Sequence, residues 1–244
     1  MIELADKFMV QKFVLVSTDK AVNPVNVMGA TKRAAEKLIQ SMNENSKTKF
    51  LAVRFGNVLG SSGSAIPTFQ DQINKGGPVT ITHPEMTRYF MSIQEASQLI
   101  LQCGAIGKDG EIFLLEMGKP IKINQIAKDL IKLSGFEPEV DIPIIYTGLR
   151  PGEKLYEELQ HIGEKKVYTE HKKIMILKDG KSIIPWVSLK NSIENLLNIS
   201  KSLDGDKIQN ILKQIIPTYQ PRIFQHIIDD KEEFKTSYPV KVEA

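Results

Sequence analysis

Apolar and polar residues follow two rhythms along this chain. Near-solid apolar blocks, Phe13-Val14-Leu15-Val16 and Phe50-Leu51-Ala52-Val53-Arg54-Phe55, have the length and composition of strands covered on both faces. Between them, residues 27–44 place Ala30, Ala34, Leu38 and Ile39 at helical spacing. Strand, helix, strand in that order predicts a βαβ unit, with parallel strands and a right-handed crossover. Residues 3–9 read as a short amphipathic helix with no capping residue ahead of it.

Further along, the elements shorten. Residues 60–64 form a Gly/Ser loop, followed by a helix from about Pro67 to Lys75 and a strand at 79–82. Ser92-x-x-Glu95 is a capping box that opens a helix to about Cys103. Residues 111–115 predict a strand that returns to the main sheet. A helix at 124–134, closed by Gly135, precedes strand-like residues 142–146. Leu149-Arg150-Pro151-Gly152-Glu153-Lys154 is expected to lead into a helix through Leu159, with two more helices within 189–199 and 206–215. From Gln220 the chain is polar and is expected to be mobile. No internal repeat or low-complexity segment is present. The pattern predicts an α/β fold: a partial parallel sheet, formed by 1–59 and rejoined by about 92–118, and a smaller α/β region from 60–91 and 119–218. Residues 219–244 would be a tail.

Composition narrows the classes. The chain has 244 residues, 41% hydrophobic and 25% charged, ordinary values for a globular protein. A net charge of +3, with lysines spread along the chain, gives no footprint for nucleic acid or an anionic membrane. The single cysteine, Cys103, permits no internal disulfide and fits a reducing cytosol. His83, His161, His171 and His226 have no metal-ligand spacing. With no apolar run of membrane-spanning length and no signal peptide, a cytoplasmic location is expected.

The chemistry concentrates in residues 17–32. Thr18-Asp19-Lys20 falls at the C-terminal end of the first strand, where open α/β sheets collect ligands. Met28-x-x-x-Lys32 lies in the first turns of the next helix, and its i,i+4 spacing points both side chains one way. A dinucleotide fold also needs strand–GxGxxG–helix, and none is found. Gly104, Gly107 and Gly110 follow a helix instead of a strand, and Gly60 and Gly63 come too late. The chain is therefore expected to be the C-terminal part of a longer enzyme, inactive alone, with an apolar sheet edge left open to aggregation or a partner.

Four blocks together carry a resemblance. Ser17–Pro24, Asn26–Arg33, Arg54–Ser61 and Leu149–Lys154 resemble the nucleotide-sugar 4,6-dehydratases of the extended short-chain dehydrogenase/reductase class, in the CapD-like polysaccharide biosynthesis branch. The resemblance runs from residue 1 to about 218. It implies a partial Rossmann-like sheet, tightly held NAD, a UDP-N-acetylhexosamine substrate (usually UDP-N-acetylglucosamine), and a homo-oligomer. Larger members carry an N-terminal membrane region.

The resemblance also implies roles. Oxidation at C4 of the sugar acidifies C5, so loss of the C6 hydroxyl needs a base at C5 and an acid at O6. Asp19, held protonated, would be the acid and Lys20, held neutral, the base, which burial and a neighbouring cation permit. Thr18 would hydrogen-bond the C4 oxygen. Lys32 would hold the nicotinamide ribose, and Phe55 would line the nicotinamide. Asn57 would contact the diphosphate, helped by helix amides near Pro67. Arg88 and Arg150 would clamp phosphates, and Glu153 would accept from the uridine ribose. Met28 stands where the wider superfamily has a tyrosine base, although methionine is characteristic of this branch. A thioether takes no proton, so either the oxidoreductase is dead or the C4 proton leaves through Asp19, Lys20 or a water at Thr18.

Bland readings stand beside these. Asp19 and Lys20 could be a solvated pair, Lys32 a surface lysine, and the arginines surface salt bridges. Glu153 could serve only as helix N-terminal charge. Other functional readings are a UDP-sugar 4-epimerase or reductase, which has no elimination step, and a non-catalytic remnant.

Overall fold

The computed structural model describes residues 1–61, 63–108, 110–179 and 183–221. Helices are α1 (Ile2–Lys7), α2 (Val27–Asn43), α3 (Ala65–Asn74), α4 (Ile93–Ile106), α5 (Ile123–Leu133), α6 (Trp186–Ser200) and α7 (Gly205–Ile215). Strands are β1 (Lys12–Val16), β2 (Lys49–Arg54), β3 (Asn57–Val58), β4 (Val79–Ile81), β5 (Thr87–Arg88), β6 (Phe90–Met91), β7 (Ile112–Leu115), β8 (Ile121–Lys122), β9 (Ile144–Tyr146), β10 (Glu164–Tyr168) and β11 (Ile174–Asp179).

The main sheet has the order β1-β2-β7-β11-β10. β1, β2 and β7 run parallel, and β11 and β10 close the far side antiparallel. The expected βαβ unit is there, with Phe13 opposite Phe50 and Val16 opposite Val53. Side chains alternate between the faces of a strand. Leu51 and Val53 therefore pack with Leu99 and Cys103 of α4, while Phe50 packs with Ile39 and Met42 of α2. By the same alternation Arg54 falls on the α2 face, which brings it to Glu36. β1 is an outer edge of this sheet, and Val16 at its end is exposed.

A second core lies apart from the sheet. Phe69 and Ile73 of α3, Val79 and Ile81 of β4, and Ala127 and Ile131 of α5 pack together with Ile142 and Ile144. β4 pairs parallel with β9. A third core joins Ala30 and Ala34 of α2 to Leu189, Leu212 and Ile215 of α6 and α7.

Three features differ from the sequence expectation. Residues 151–160 are turns and bends, not a helix through Leu159. The carbonyls of Lys154 and Leu155 accept from the Arg88 guanidinium, and the Leu155 carbonyl also accepts from the Thr87 amide. Those acceptors are taken by another element, and tertiary contacts override local propensity. β10 and β11 were not anticipated; they, with α6 and α7, assign the chain from 164 onward to the main body and not to the 119–218 region. Tyr219 is buried in the third core and the Gln220 amide donates to the Pro24 carbonyl, so the packed chain extends past 218. The remainder of the expected tail, with His226, lies outside the described residues.

Candidate active site

The loop after β1 first continues the ladder. The Ser17 amide donates to the Val53 carbonyl at 2.8 Å, and the Asp19 amide to the Phe55 carbonyl at 3.0 Å. Asp19–Ala21 then form a tight 3-10 turn with Thr18 as its cap. This geometry pulls the Asp19 side chain inside, at 0% exposure. One carboxylate oxygen, Oδ1, accepts from the Thr18 hydroxyl at 2.9 Å and from Lys20 Nζ at 3.0 Å. The other, Oδ2, is buried with no hydrogen-bond partner among the described residues. Lys20, 27% exposed at its side chain, also donates to Asn57 Oδ1 at 3.0 Å. Asn57 is held there because β3 pairs with β6.

α2 begins against this loop. The Asn26 side chain caps it, accepting from the Gly29 amide at 2.8 Å, and its Nδ2 donates to the Gly152 carbonyl at 2.8 Å. Gly29 is required by close approach: a Cβ would sit 2.3 Å from the Lys20 carbonyl oxygen. Gly152 is required twice, by φ of +71° and by a Cβ that would meet Asn26 at 2.8 Å. The Arg150-Pro151-Gly152 turn is thus locked onto the N-terminus of α2. Met28, 47% exposed, shares a cleft of about 280 Å³ with Lys20, Arg88, Arg150 and Glu153.

The expected site residues divide as follows. Thr18, Asp19, Lys20 and Asn57 are joined by hydrogen bonds, and Met28, Arg150 and Glu153 face the same cleft as Lys20. Arg150 is exposed at its rim. Glu153 Oε2 accepts from the Arg150 amide at 3.0 Å, which shapes the turn. Arg88 is more committed than expected, donating to the carbonyls of Thr87, Leu155 and Lys154. Lys32, one helical turn beyond Met28, reaches back to the Val16 carbonyl at 3.2 Å, at the open edge of β1. Phe55 departs from expectation: as β2 ends, its ring packs in the main core, and its carbonyl serves the site by fixing Asp19.

Sequence reasoning missed Glu157. Its side chain is 4% exposed, with Oε1 3.9 Å from Lys20 Nζ and 3.7 Å from Arg88 Nε. Burial pushes its carboxyl above the usual range. The signal available was an acidic pair, Glu157-Glu158, a few residues past the Arg-Pro-Gly turn.

Behind the loop lies a cluster of buried charges. Ser17 Oγ donates to Glu36, which also pairs with Arg33 and Arg54. Arg54 in turn holds Glu164 at 2.9 Å. His161 Nδ1 lies 2.9 Å from Asn23 Oδ1, and Lys154 Nζ donates to the Val22 carbonyl at 2.8 Å. The 150–164 segment is therefore tied to the strand-end loop at several points.

The donor set suits one end of a dinucleotide. Lys32 reaches the Val16 carbonyl at the exposed end of β1 and Thr18 holds Asp19 just beyond it, whereas no glycine fingerprint for a pyrophosphate occurs in the sequence.

The parallel β1-β2-β7 strands with their βαβ crossover have the fold of the extended short-chain dehydrogenases/reductases. The X-ray structure of Pen from Bacillus thuringiensis shares this fold with a TM-score of 0.65 and 33% identity, covering 80% of this chain and 65% of that one. The chain belongs to the polysaccharide biosynthesis protein family, whose model matches residues 1–179. It is 66% identical over 163 residues to the Staphylococcus aureus capsular polysaccharide biosynthesis protein CapD, covering 66% of this chain and 27% of CapD. It is 42% identical over 161 residues to a UDP-glucose 4-epimerase of Rickettsia canadensis, covering 64% of this chain and 45% of the epimerase. The chain thus spans about a quarter of CapD. No helix among the described residues is long and apolar enough to cross a membrane.

Proposed function

We propose that the protein carrying this chain is a nucleotide-sugar 4,6-dehydratase that converts UDP-N-acetylglucosamine into its 4-keto-6-deoxy product for glycan synthesis. The reading is carried by the Asp19–Lys20 pair: a wholly buried carboxyl with one free oxygen, hydrogen-bonded to an amine that faces the cleft.

Arg150 at the rim binds diphosphate, and Glu153 accepts from the uridine ribose. Asn57, fixed by Lys20, orients the sugar side of the diphosphate. Thr18 holds the C4 oxygen. Lys32, beside the Val16 carbonyl, holds the nicotinamide ribose of NAD, which supplies oxidation at C4 and reduction at C6. Lys20 then takes the C5 proton, and Asp19 gives its proton to O6, which leaves as water. Asp19 Oδ2, buried and without a hydrogen-bond partner among the described residues, is the oxygen left for O6.

A UDP-sugar 4-epimerase is the second reading, favoured by the Rickettsia canadensis relative. Epimerisation has no elimination step and leaves the buried carboxyl without a task. The deciding experiment incubates the full-length protein with UDP-N-acetylglucosamine and identifies the product by NMR. A 4-keto-6-deoxy sugar, lost in Asp19→Asn and Lys20→Ala while UDP binding persists, supports the dehydratase. UDP-N-acetylgalactosamine as the only product, or full activity in both variants, overturns it.

A further inference from the structure

The dehydration just proposed makes an unusual demand on Lys20. Met28 stands at the cleft mouth with no proton-accepting atom. The proton of the C4 hydroxyl must leave as C4 is oxidised, and Lys20 is an amine lining the same cleft as Met28, hydrogen-bonded to both Asp19 and Asn57. Yet Lys20 must be free again at once to take the C5 proton. Asp19 cannot relieve it, because Asp19 has to keep its own proton for O6. An amine used twice in one turnover needs somewhere to leave the first proton.

One group is built for that. Glu157 lines the same cleft as Lys20, its Oε1 3.9 Å from Lys20 Nζ and its side chain 4% exposed. Its second oxygen, Oε2, is buried and has no hydrogen-bond partner among the described residues. The flexible stem of Lys20 spans the remaining gap by torsion. The charged groups facing Glu157 are Lys20 and Asp19 from the strand-end turn, Arg88 from β5 and Lys154 from its own segment.

We infer that Glu157 is the proton store of this site: it draws the C4-hydroxyl proton off Lys20 and returns it, through Lys20, to Asp19. The inference rests on the dehydratase reading. The balance closes. The C4 O–H bond breaks, its proton passes by way of Lys20 to the Glu157 carboxylate, and the C4 hydride is carried by NAD. Lys20, neutral again, takes the C5 proton as the C6–O bond breaks, and Asp19 protonates the departing oxygen to water. With the hydride returned to C6, Lys20 gives its proton to C5. The proton on Glu157 then restores Asp19, and the net change is loss of one water. Burial, which favours the neutral carboxyl, lowers the cost of the intermediate charge state. Glu157 acts through Lys20 and is a positioning residue.

The test reads Lys20 directly. Full-length wild type, Glu157→Gln and Glu157→Asp are treated with an amine-acylating reagent across pH 6 to about 11, and labelling of each lysine is followed by peptide mass spectrometry. Removing the carboxylate should move the Lys20 midpoint down by about one pH unit in Glu157→Gln, with Glu157→Asp between and Lys75, paired with Asp71 elsewhere, unmoved. Dehydration by Glu157→Gln should fall about a hundredfold in kcat or more with KM little changed, and Glu157→Asp should recover part of it. Circular dichroism must show all three folded; an unfolded Glu157→Gln leaves Glu157→Asp, whose displaced Lys20 midpoint and reduced kcat carry the comparison. A Lys20 midpoint unmoved in the folded variants overturns the inference even where the keto sugar forms. A wild type that yields no keto sugar while the midpoint moves overturns the dehydratase reading, and the relay with it.

Discussion

Arg54 grips Glu36 through two parallel hydrogen bonds, Nε to Oε1 at 2.7 Å and Nη2 to Oε2 at 2.8 Å, and both side chains are wholly buried. The same guanidinium holds Glu164, so one cation at the end of β2 ties α2 to the start of β10. Breaking such a pair strands an uncompensated charge. Arg54→Leu is expected to cost about 3–5 kcal/mol, read as a lower urea midpoint.

Acid should weaken the fold in two stages. Burial, with Arg33 and Arg54 nearby, pushes the His161 imidazole down to about 4. The unfolded chain then binds a proton that the folded chain refuses, so stability falls as pH drops from about 6.5 to about 4. The Glu36 carboxyl, which Arg54 and Arg33 hold at about 2 against the opposing effect of burial, adds a second loss as pH falls from about 4.5 toward 2. Thermal melts of His161→Gln should show a flatter profile between pH 6.5 and about 4, with the lower stage retained.

Arg88 and Arg150 should separate cleanly. Arg88→Leu removes hydrogen bonds to three carbonyls, those of Lys154 and Leu155 shaping that turn, and it is expected to lower the melting temperature by several degrees, on the order of 1–3 kcal/mol. Arg150→Ala touches no such contact and should weaken UDP binding about tenfold or more at unchanged stability, measured by calorimetry.

Met28→Tyr tests the route of the C4 proton. Met28 is half exposed and lines the cleft, so the substitution disturbs no core packing. With proton handling assigned to Lys20 and Glu157, the turnover rate should change less than about threefold. A gain of a hundredfold would show that the methionine site is crippled.

The first half of the fold was legible because β2 is buried along nearly its whole length and β1, although an edge strand, is still written as an apolar run, Phe13 to Val16. Asn26, Gly29 and Gly152 were visible as motif letters, although nothing in their spacing revealed that they touch each other. β10 was hidden for a physical reason: it is an edge strand whose residues after Glu164 are all exposed, and Glu-Lys-Lys-Val-Tyr shows no alternation. Lys154–Leu159 has good helix formers, yet Arg88 captures its carbonyls, and no local pattern announces a capture by a residue 66 positions away. Glu157 was overlooked on the same account, since only that turn carries it to Lys20.

The segment from Arg150 to Glu164 is riveted at one end by Asn26 and at the other by Arg54. Under the proposed function, for anyone wishing to redirect the protein to another sugar, the segment splits into fixed and negotiable letters. Tyr156 and Ile162 point into solvent and accept randomisation. Gly152, Lys154 and Glu164 are frame, and a library that varies them will sample broken scaffolds before it samples new specificities.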